Sequence, residues 1–144
     1  MGIGTRRGGQ AASGQIIYNL LFFGYYGGHK KLLMLDIFMN DGSDKDTPSA
    51  VWLKGVTEFI AICKEKGITP VITTIPTVPK RFHDRKTEWV RNSGVRYIDW
   101  YEATGTDSKG VWKEGFLYKD NVHPSPKGAQ ALWKAVEEAL PELQ

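Results

Sequence analysis

Apolar and polar positions follow one another along the chain in blocks that predict strands and helices in turn. Lys31–Met39 is a nearly continuous apolar run broken by Asp36, which is typical of a strand buried on both faces. Ile68–Ile75 is rich in β-branched residues and stops at Pro76, so it predicts another strand. Val95–Ile98 predicts a third, short strand. Because helical patterns alternate with these strands, we expect an α/β fold with a mostly parallel sheet.

Four segments have the apolar spacing of helices. The first, Gln15–Tyr26, is apolar almost all round and follows Ser13, a residue type that caps helices. The second opens at Thr47-Pro48 and the third runs from Arg85 to Asn92. The fourth begins at Pro126, and its sheet-facing stripe is predicted to comprise Ala129, Leu132, Trp133, Val136 and Leu140.

Length and composition predict one globular domain covering residues 1–144. The chain is 41% hydrophobic and 24% charged, with a formal net charge of +3, and a domain of this length buries enough surface to need no covalent staples. Its basic pairs are scattered rather than clustered, so we expect no nucleic-acid partner. The single cysteine, Cys63, lies in a helical pattern and is predicted to be a core residue.

The amino terminus does not fix the compartment. Met1–Arg7 is not followed by the apolar segment of a signal peptide. The most apolar stretch, Ile16–Tyr26, contains Asn19 and Gly24 and is too short to span a bilayer. We therefore expect no membrane span, and localisation stays open.

The strongest chemical signal lies near the carboxyl terminus, where Asp120 and His123 stand three residues apart. Pro124 disfavours helical dihedral angles at His123, so that residue should be held extended ahead of the last helix. Ser125 suits the N-cap of that helix and Pro126 its first position. An imidazole on a short rigid loop, with a carboxylate near one ring nitrogen, is typical of a general base. The alternative is a surface turn in which Asp120 only caps backbone amides.

Two further positions are expected at the same edge of the sheet, where ligands of parallel α/β folds bind. Asn40 directly follows the strand that ends at Met39, and Gly14 precedes the first predicted helix. A side-chain amide and a glycine N–H are suitable donors to an oxyanion. Singly, each is equally consistent with a plain turn or a helix cap.

These residues carry a resemblance to the SGNH (GDSL-type) hydrolases, a family of esterases, lipases and carbohydrate deacetylases with a flavodoxin-like α/β/α sandwich. Asp120, His123 and Pro124 match its terminal D-x-x-H-P block. The resemblance implies that Asp120 is the catalytic acid and His123 the base. It also implies that Asn40 and the Gly14 N–H form the oxyanion hole.

The chain departs from the family pattern at two places. Phe38 stands where the third block has a glycine, and the first block, Gly-Asp-Ser, is absent. The resemblance therefore implies an SGNH domain shortened at its amino terminus, missing its first strand and helix. The chain has six serines, none of which follows Gly-Asp: Ser13, Ser43, Ser49, Ser93, Ser108 and Ser125. Ser13 is best explained as a cap and Ser43 as the least unsuitable substitute, so the nucleophile stays unknown.

The leading functional hypothesis is therefore an ester hydrolase acting on a small-molecule or carbohydrate ester without a metal or cofactor. We expect this chain alone to be nearly inactive, with self-association or a partner segment filling the missing strand. The alternative is a non-catalytic descendant that binds carbohydrate through four aromatic residues: Trp100, Tyr101, Trp112 and Tyr118. An EF-hand-type metal loop starting at Asp36 is disfavoured, because its third position is Phe38.

Overall fold

The structure is a computed structural model that describes residues 2–6, 20–25, 30–35 and 48–143. Five strands form one sheet: β1 (Gly2–Arg6), β2 (Leu20–Tyr25), β3 (Lys30–Leu35), β4 (Thr69–Thr73) and β5 (Arg96–Ile98). The described helices are α1 (Ala50–Glu65), α2 (Asp84–Arg91), α3 (Trp100–Ala103), α4 (Pro126–Ala139) and a final 3₁₀ turn, Pro141–Leu143. No helix in these ranges is long and apolar enough to cross a membrane.

The strands lie in the order β1-β2-β3-β4-β5. The strands β3, β4 and β5 are parallel to one another, with Leu32 opposite Thr69 and Val71 opposite Arg96. At the other edge, β2 is antiparallel to both β1 and β3. The predicted parallel α/β core is therefore confirmed, and an antiparallel pair extends it.

The predicted helix Gln15–Tyr26 is wrong over Leu20–Tyr25, which forms β2. Residues 15–19 and Tyr26 lie outside the described residues. A segment that is apolar almost all round has no clear period, so its pattern suits a buried strand as well as a buried helix. The strand β2 lies beside β3 and pairs with it along all six residues.

Helices cover both faces of the sheet. Successive residues of β4 point to opposite faces, so their neighbours show which helix packs on each side. Ile72 packs in one core cluster with Trp52 and Val56 of α1 and Val90 of α2. Its neighbour Val71 packs on the other face, in a cluster with Ile98 and the α4 residues Val136 and Leu140. The fold is therefore a three-layer α/β/α sandwich.

The helix α1 begins close to the predicted start at Thr47-Pro48. The Ser49 hydroxyl accepts a 3.1 Å hydrogen bond from the Trp52 N–H and caps the helix. Gly67, just past the end, has φ +67°, a conformation in which glycine is strongly favoured. Cys63 is buried and unpaired by any disulfide, and burial raises the pKa of its thiol to about 11. Its predicted role as a core residue is confirmed.

The packing of α4 fixes where the preceding loop lies. In its first half, Ala131 packs against the cluster of Val78, Trp112 and Phe116, of which Val78 lies beyond the carboxyl end of β4. Near its end, Leu140 packs on Val71 within β4. The helix therefore runs antiparallel to β4, and its amino terminus, with the loop that precedes it, lies at the carboxyl edge of the parallel strands.

The predicted sheet-facing stripe of α4 is only partly right. Val136 and Leu140 are buried and Leu132 is half-buried, but Ala129 is exposed and Trp133 is 48% exposed. The helix packs through a narrow stripe, because β4 and β5 contact mainly its second half. Trp133 therefore faces away from the core.

Candidate active site

The segment from Phe116 to Ser125 folds back on itself as a tight loop. The Tyr118 N–H donates to the His123 carbonyl over 2.7 Å, and the Ser125 N–H donates to the Phe116 carbonyl over 2.8 Å. At the tip, Asn121 has φ +59°, a conformation that asparagine tolerates better than most residues. These bonds fix the backbone on both sides of His123.

Asp120 and His123 are joined side chain to side chain. Asp120 Oδ2 lies 2.6 Å from His123 Nδ1, while Asp120 Oδ1 accepts the N–H groups of Val122 and His123, each over 2.9 Å. The hydrogen bond from the His123 ring, followed by those backbone donors, lowers the pKa of Asp120 to about 2. Asp120 is therefore ionised at neutral pH. Asp120 therefore caps the turn and also bonds the imidazole.

Ser125 connects the loop to α4. Its hydroxyl accepts the Gly128 N–H over 3.1 Å as the helix N-cap and donates to the Gly115 carbonyl. Gly128 itself lies against Phe116, so closely that a Cβ at this position would overlap the Phe116 carbonyl oxygen. The start of α4 is therefore seated directly on the loop that carries His123.

A shallow cleft of about 380 Å³ opens beside the imidazole. Its lining consists of Tyr118, Asp120, His123, Pro124, Ser125, Pro126 and Ala129. The His123 side chain is 75% exposed, and among the described residues no group bonds its Nε2. That nitrogen is accessible to a ligand entering the cleft.

The remaining predicted site residues do not all fall in the described part of the chain. Gly14 and Asn40, the predicted oxyanion donors, lie outside it, as do Ser13, Phe38 and Ser43. The strand β3 ends at Leu35, paired with Ile72, and so reaches the same carboxyl edge as the Asp120/His123 loop. The assignment of Gly14 and Asn40 as oxyanion donors stays a prediction.

None of the four serines within residues 48–143 is poised as a nucleophile for His123. Ser49 and Ser125 are helix N-caps. Ser93 bonds the Val90 carbonyl and the Val95 N–H. Ser108 is exposed in the segment that joins α3 to α4.

Three of the four aromatic residues proposed for carbohydrate binding are held by the protein itself. Trp112 is 7% exposed and donates through Nε1 to the Thr77 carbonyl over 2.7 Å. Trp100 donates to a carbonyl of α4, and the Tyr101 hydroxyl donates to Asp84. Tyr118, 43% exposed, is the member of the set that lines the cleft.

A second histidine, His83, is fully buried and lies outside the cleft lining. Burial and the neighbouring Lys86 and Arg81 charges lower its pKa to about 3. Lys86 Nζ lies 3.4 Å from its Nδ1, and its Nε2 is bonded by no described group. Within the described ranges, no three acidic, histidine or cysteine side chains come together as a metal site would require.

Comparison with known proteins supports the fold. No protein-family model matches the sequence, and no curated protein sequence matches it significantly. A solved structure from Desulfitobacterium hafniense DCB-2, of a protein assigned to the lipolytic G-D-S-L family, matches with a TM-score of 0.59 and 16% identity. That match covers 74% of this chain and 63% of the other.

A second solved structure, of a protein from Bacteroides fragilis NCTC 9343 assigned as an acylhydrolase, matches with a TM-score of 0.52 and 15% identity. It covers 65% of this chain and 52% of the other, so the chain spans less than two thirds of either structure. The chain therefore has the α/β/α fold of the GDSL-type hydrolases that its sequence resembles.

Proposed function

We propose that this protein belongs to an ester hydrolase system in which His123 is the general base and Asp120 its orienting acid. The observation that carries the proposal is the 2.6 Å contact between Asp120 Oδ2 and His123 Nδ1, in a cleft at the carboxyl edge of the parallel strands. The fold shared with proteins assigned as lipolytic or acylhydrolase supports the same reaction class.

Each residue has a distinct role. With Nδ1–H donating to Asp120, the Nε2 lone pair of His123 can accept the proton of an attacking hydroxyl or water. The Asp120 carboxylate then stabilises the imidazolium that forms. The Gly14 N–H and the Asn40 amide are proposed to hold the developing oxyanion.

The nucleophile is left unassigned. The serines at positions 49, 93 and 125 are already bonded to backbone groups, which argues against them. Ser13, Ser43 and a serine from another polypeptide stay candidates. Without a serine, His123 would activate water, and turnover would be slow.

A second candidate function is carbohydrate binding without turnover. Of the four aromatic residues proposed for it, Tyr118 is the one that lines the cleft. Hydrogen bonds from the other three to the protein hold their polar atoms: Trp100, Tyr101 and Trp112. Saccharide binding in the absence of any ester hydrolysis would favour it.

The test is hydrolysis of p-nitrophenyl acetate by the wild type, by His123→Ala and by Phe82→Ala. Phe82 is 41% exposed and is not part of the cleft lining, so it controls for loss of a surface side chain. We expect slow release of p-nitrophenol that falls to the buffer rate only in His123→Ala. A rate that is the same in all three proteins rules out the assignment of His123.

A further inference from the structure

The cleft beside His123 is charged on one side, at Asp120 and His123, and uncharged elsewhere. Apart from Asp120 and His123 themselves, its walls carry no charge: they are the Tyr118 ring, Pro124, Ser125, Pro126 and Ala129. Tyr118 is 43% exposed, and its backbone lies opposite His123 across the loop, because the Tyr118 N–H is bonded to the His123 carbonyl. Lys119 Nζ lies over one face of the Tyr118 ring, 5.6 Å from its centroid, so a ligand would stack on the other face. The cleft thus offers one aromatic face and a largely apolar shelf directly beside the base.

The apolar shelf continues along α4. Pro126 and Ala129 line the cleft, and Trp133 follows Ala129 after four residues, on the same face of the helix. Trp133 is 48% exposed and lies about 5 to 6 Å further along the axis than Ala129. The core contacts of α4 come from Val136 and Leu140, in a cluster that does not include Trp133.

The proposed reaction decides which half of an ester meets this surface. When the acyl carbon–oxygen bond breaks, the bonding electrons stay with the leaving oxygen, and the imidazolium of His123 gives that oxygen its proton from Nε2. The alcohol oxygen must therefore lie within hydrogen-bond distance of Nε2. Whatever is attached to that oxygen occupies the space beside the imidazole, which is this cleft.

We propose that Tyr118 determines specificity for the alcohol half of the ester, that this alcohol carries a ring with an apolar face, and that Trp133 extends the same surface. This inference rests on the proposed function for its orientation, but the binding it describes needs no nucleophile. The shared chemistry is a ring face that stacks on an aromatic side chain. A phenol and a sugar both possess one, whereas a short aliphatic alcohol does not.

The experiment is a titration of the full chain with phenol, with methyl β-D-glucoside and with ethanol, followed by the ¹H NMR signals of the His123 ring. The His123→Gln variant identifies those signals. We expect phenol or the glucoside to shift them saturably, and ethanol at the same concentrations to leave them unchanged. The ring that binds tells which kind of alcohol the surface prefers.

Single substitutions test whether Tyr118 and Trp133 form the surface that binds the ring. Tyr118→Ala should weaken ring binding by about fivefold and Trp133→Ala by about twofold, while Tyr118→Phe should keep most of it. Phe82→Ala, which removes an exposed ring elsewhere, should bind as the wild type does. Equal binding by the wild type and Tyr118→Ala, or no saturable shift with either ring compound, overturns the inference. Intact ring binding with no His123-dependent hydrolysis rejects the proposed function but leaves the ring site standing.

Discussion

Asp120 bonds His123 twice: one carboxylate oxygen lies 2.6 Å from the ring Nδ1, and the other accepts the backbone N–H of the same residue over 2.9 Å. The bond to the backbone N–H fixes the position of the His123 main chain, and the bond to Nδ1 fixes the orientation of the ring. Because one carboxylate holds both the main chain and the ring of His123, few rotamers are open to the ring, although the side chain is 75% exposed. Such pre-organisation at the surface is what a general base requires.

Replacing Asp120 by asparagine should abolish most activity while leaving the fold intact. The amide keeps the size of the side chain and one acceptor oxygen, but it has no charge to stabilise the imidazolium and no preference for the required tautomer. We expect the His123-dependent rate of p-nitrophenyl acetate hydrolysis to fall by about 10³-fold or more.

The control is Asp107→Asn, in the same segment between α3 and α4. Asp107 accepts the N–H groups of Lys109 and Val111 in a similar turn, over 2.8 and 2.9 Å, but bonds no histidine. Its variant should keep the wild-type rate. Equal losses in the two variants would mean that Asp120 acts only by shaping its turn.

The pKa of Asp120 should depend on His123. It is about 2, compared with an ordinary value of 3.8, mainly because of the hydrogen bond from the ring. Since the folded chain binds fewer protons here than the unfolded chain, the carboxylate contributes stability above about pH 4. That contribution is lost as the pH falls towards 2.

Carboxyl ¹³C NMR titration measures this directly. In His123→Ala, the titration midpoint of Asp120 should rise towards 3.8. The midpoint of Asp107, whose pKa is lowered mainly by the backbone N–H of Val111, should not move. An unchanged Asp120 midpoint would show that the ring does not donate to it.

Ser125 should matter for stability and not as a nucleophile. Ser125→Ala removes both the N-cap bond to the Gly128 N–H and the bond to the Gly115 carbonyl. We expect the free energy of unfolding in urea to fall by about 1 kcal/mol. Ser108→Ala, at an exposed loop position, should stay within about 0.5 kcal/mol of the wild type. Complete loss of hydrolysis in a folded Ser125→Ala protein would contradict the assignment of Ser125 as a cap.

Gly128 should tolerate no side chain. A Cβ there overlaps the Phe116 carbonyl oxygen, which is the acceptor of the Ser125 N–H. Gly128→Ala should therefore cost about 2 kcal/mol and should also displace the His123 loop, seen as shifted ring signals in NMR. Gly67→Ala is the control: it introduces strain at positive φ in open space, so it should cost about 1 kcal/mol and leave those signals in place.

The parts of the site that could be predicted from sequence are the local ones. Asp120, His123 and Pro124 lie within five consecutive residues, and the restriction that proline places on the preceding residue is local as well. The Ser125 cap and the start of α4 at Pro126 follow from equally local preferences.

What the sequence did not predict depends on contacts far apart in the chain. The burial of Trp112 follows from its bond to the Thr77 carbonyl, 35 residues earlier. Trp133 lies outward because the sheet contacts mainly the second half of α4. The apolar periodicity of the sequence indicates which face of a helix is buried, but not how wide the buried stripe is. The strand β2 was misassigned because Leu20–Tyr25 is apolar without a period.

The most direct test of the central claim is the tautomer of the neutral His123 ring, read from its ring ¹⁵N chemical shifts. The account predicts a proton on Nδ1, donated to Asp120, and an unprotonated Nε2 free to act as the base. In Asp120→Asn this preference should weaken. A proton on Nε2 in the wild type, or the same mixture of tautomers in both proteins, would contradict the assignment of His123 as an Asp120-oriented base.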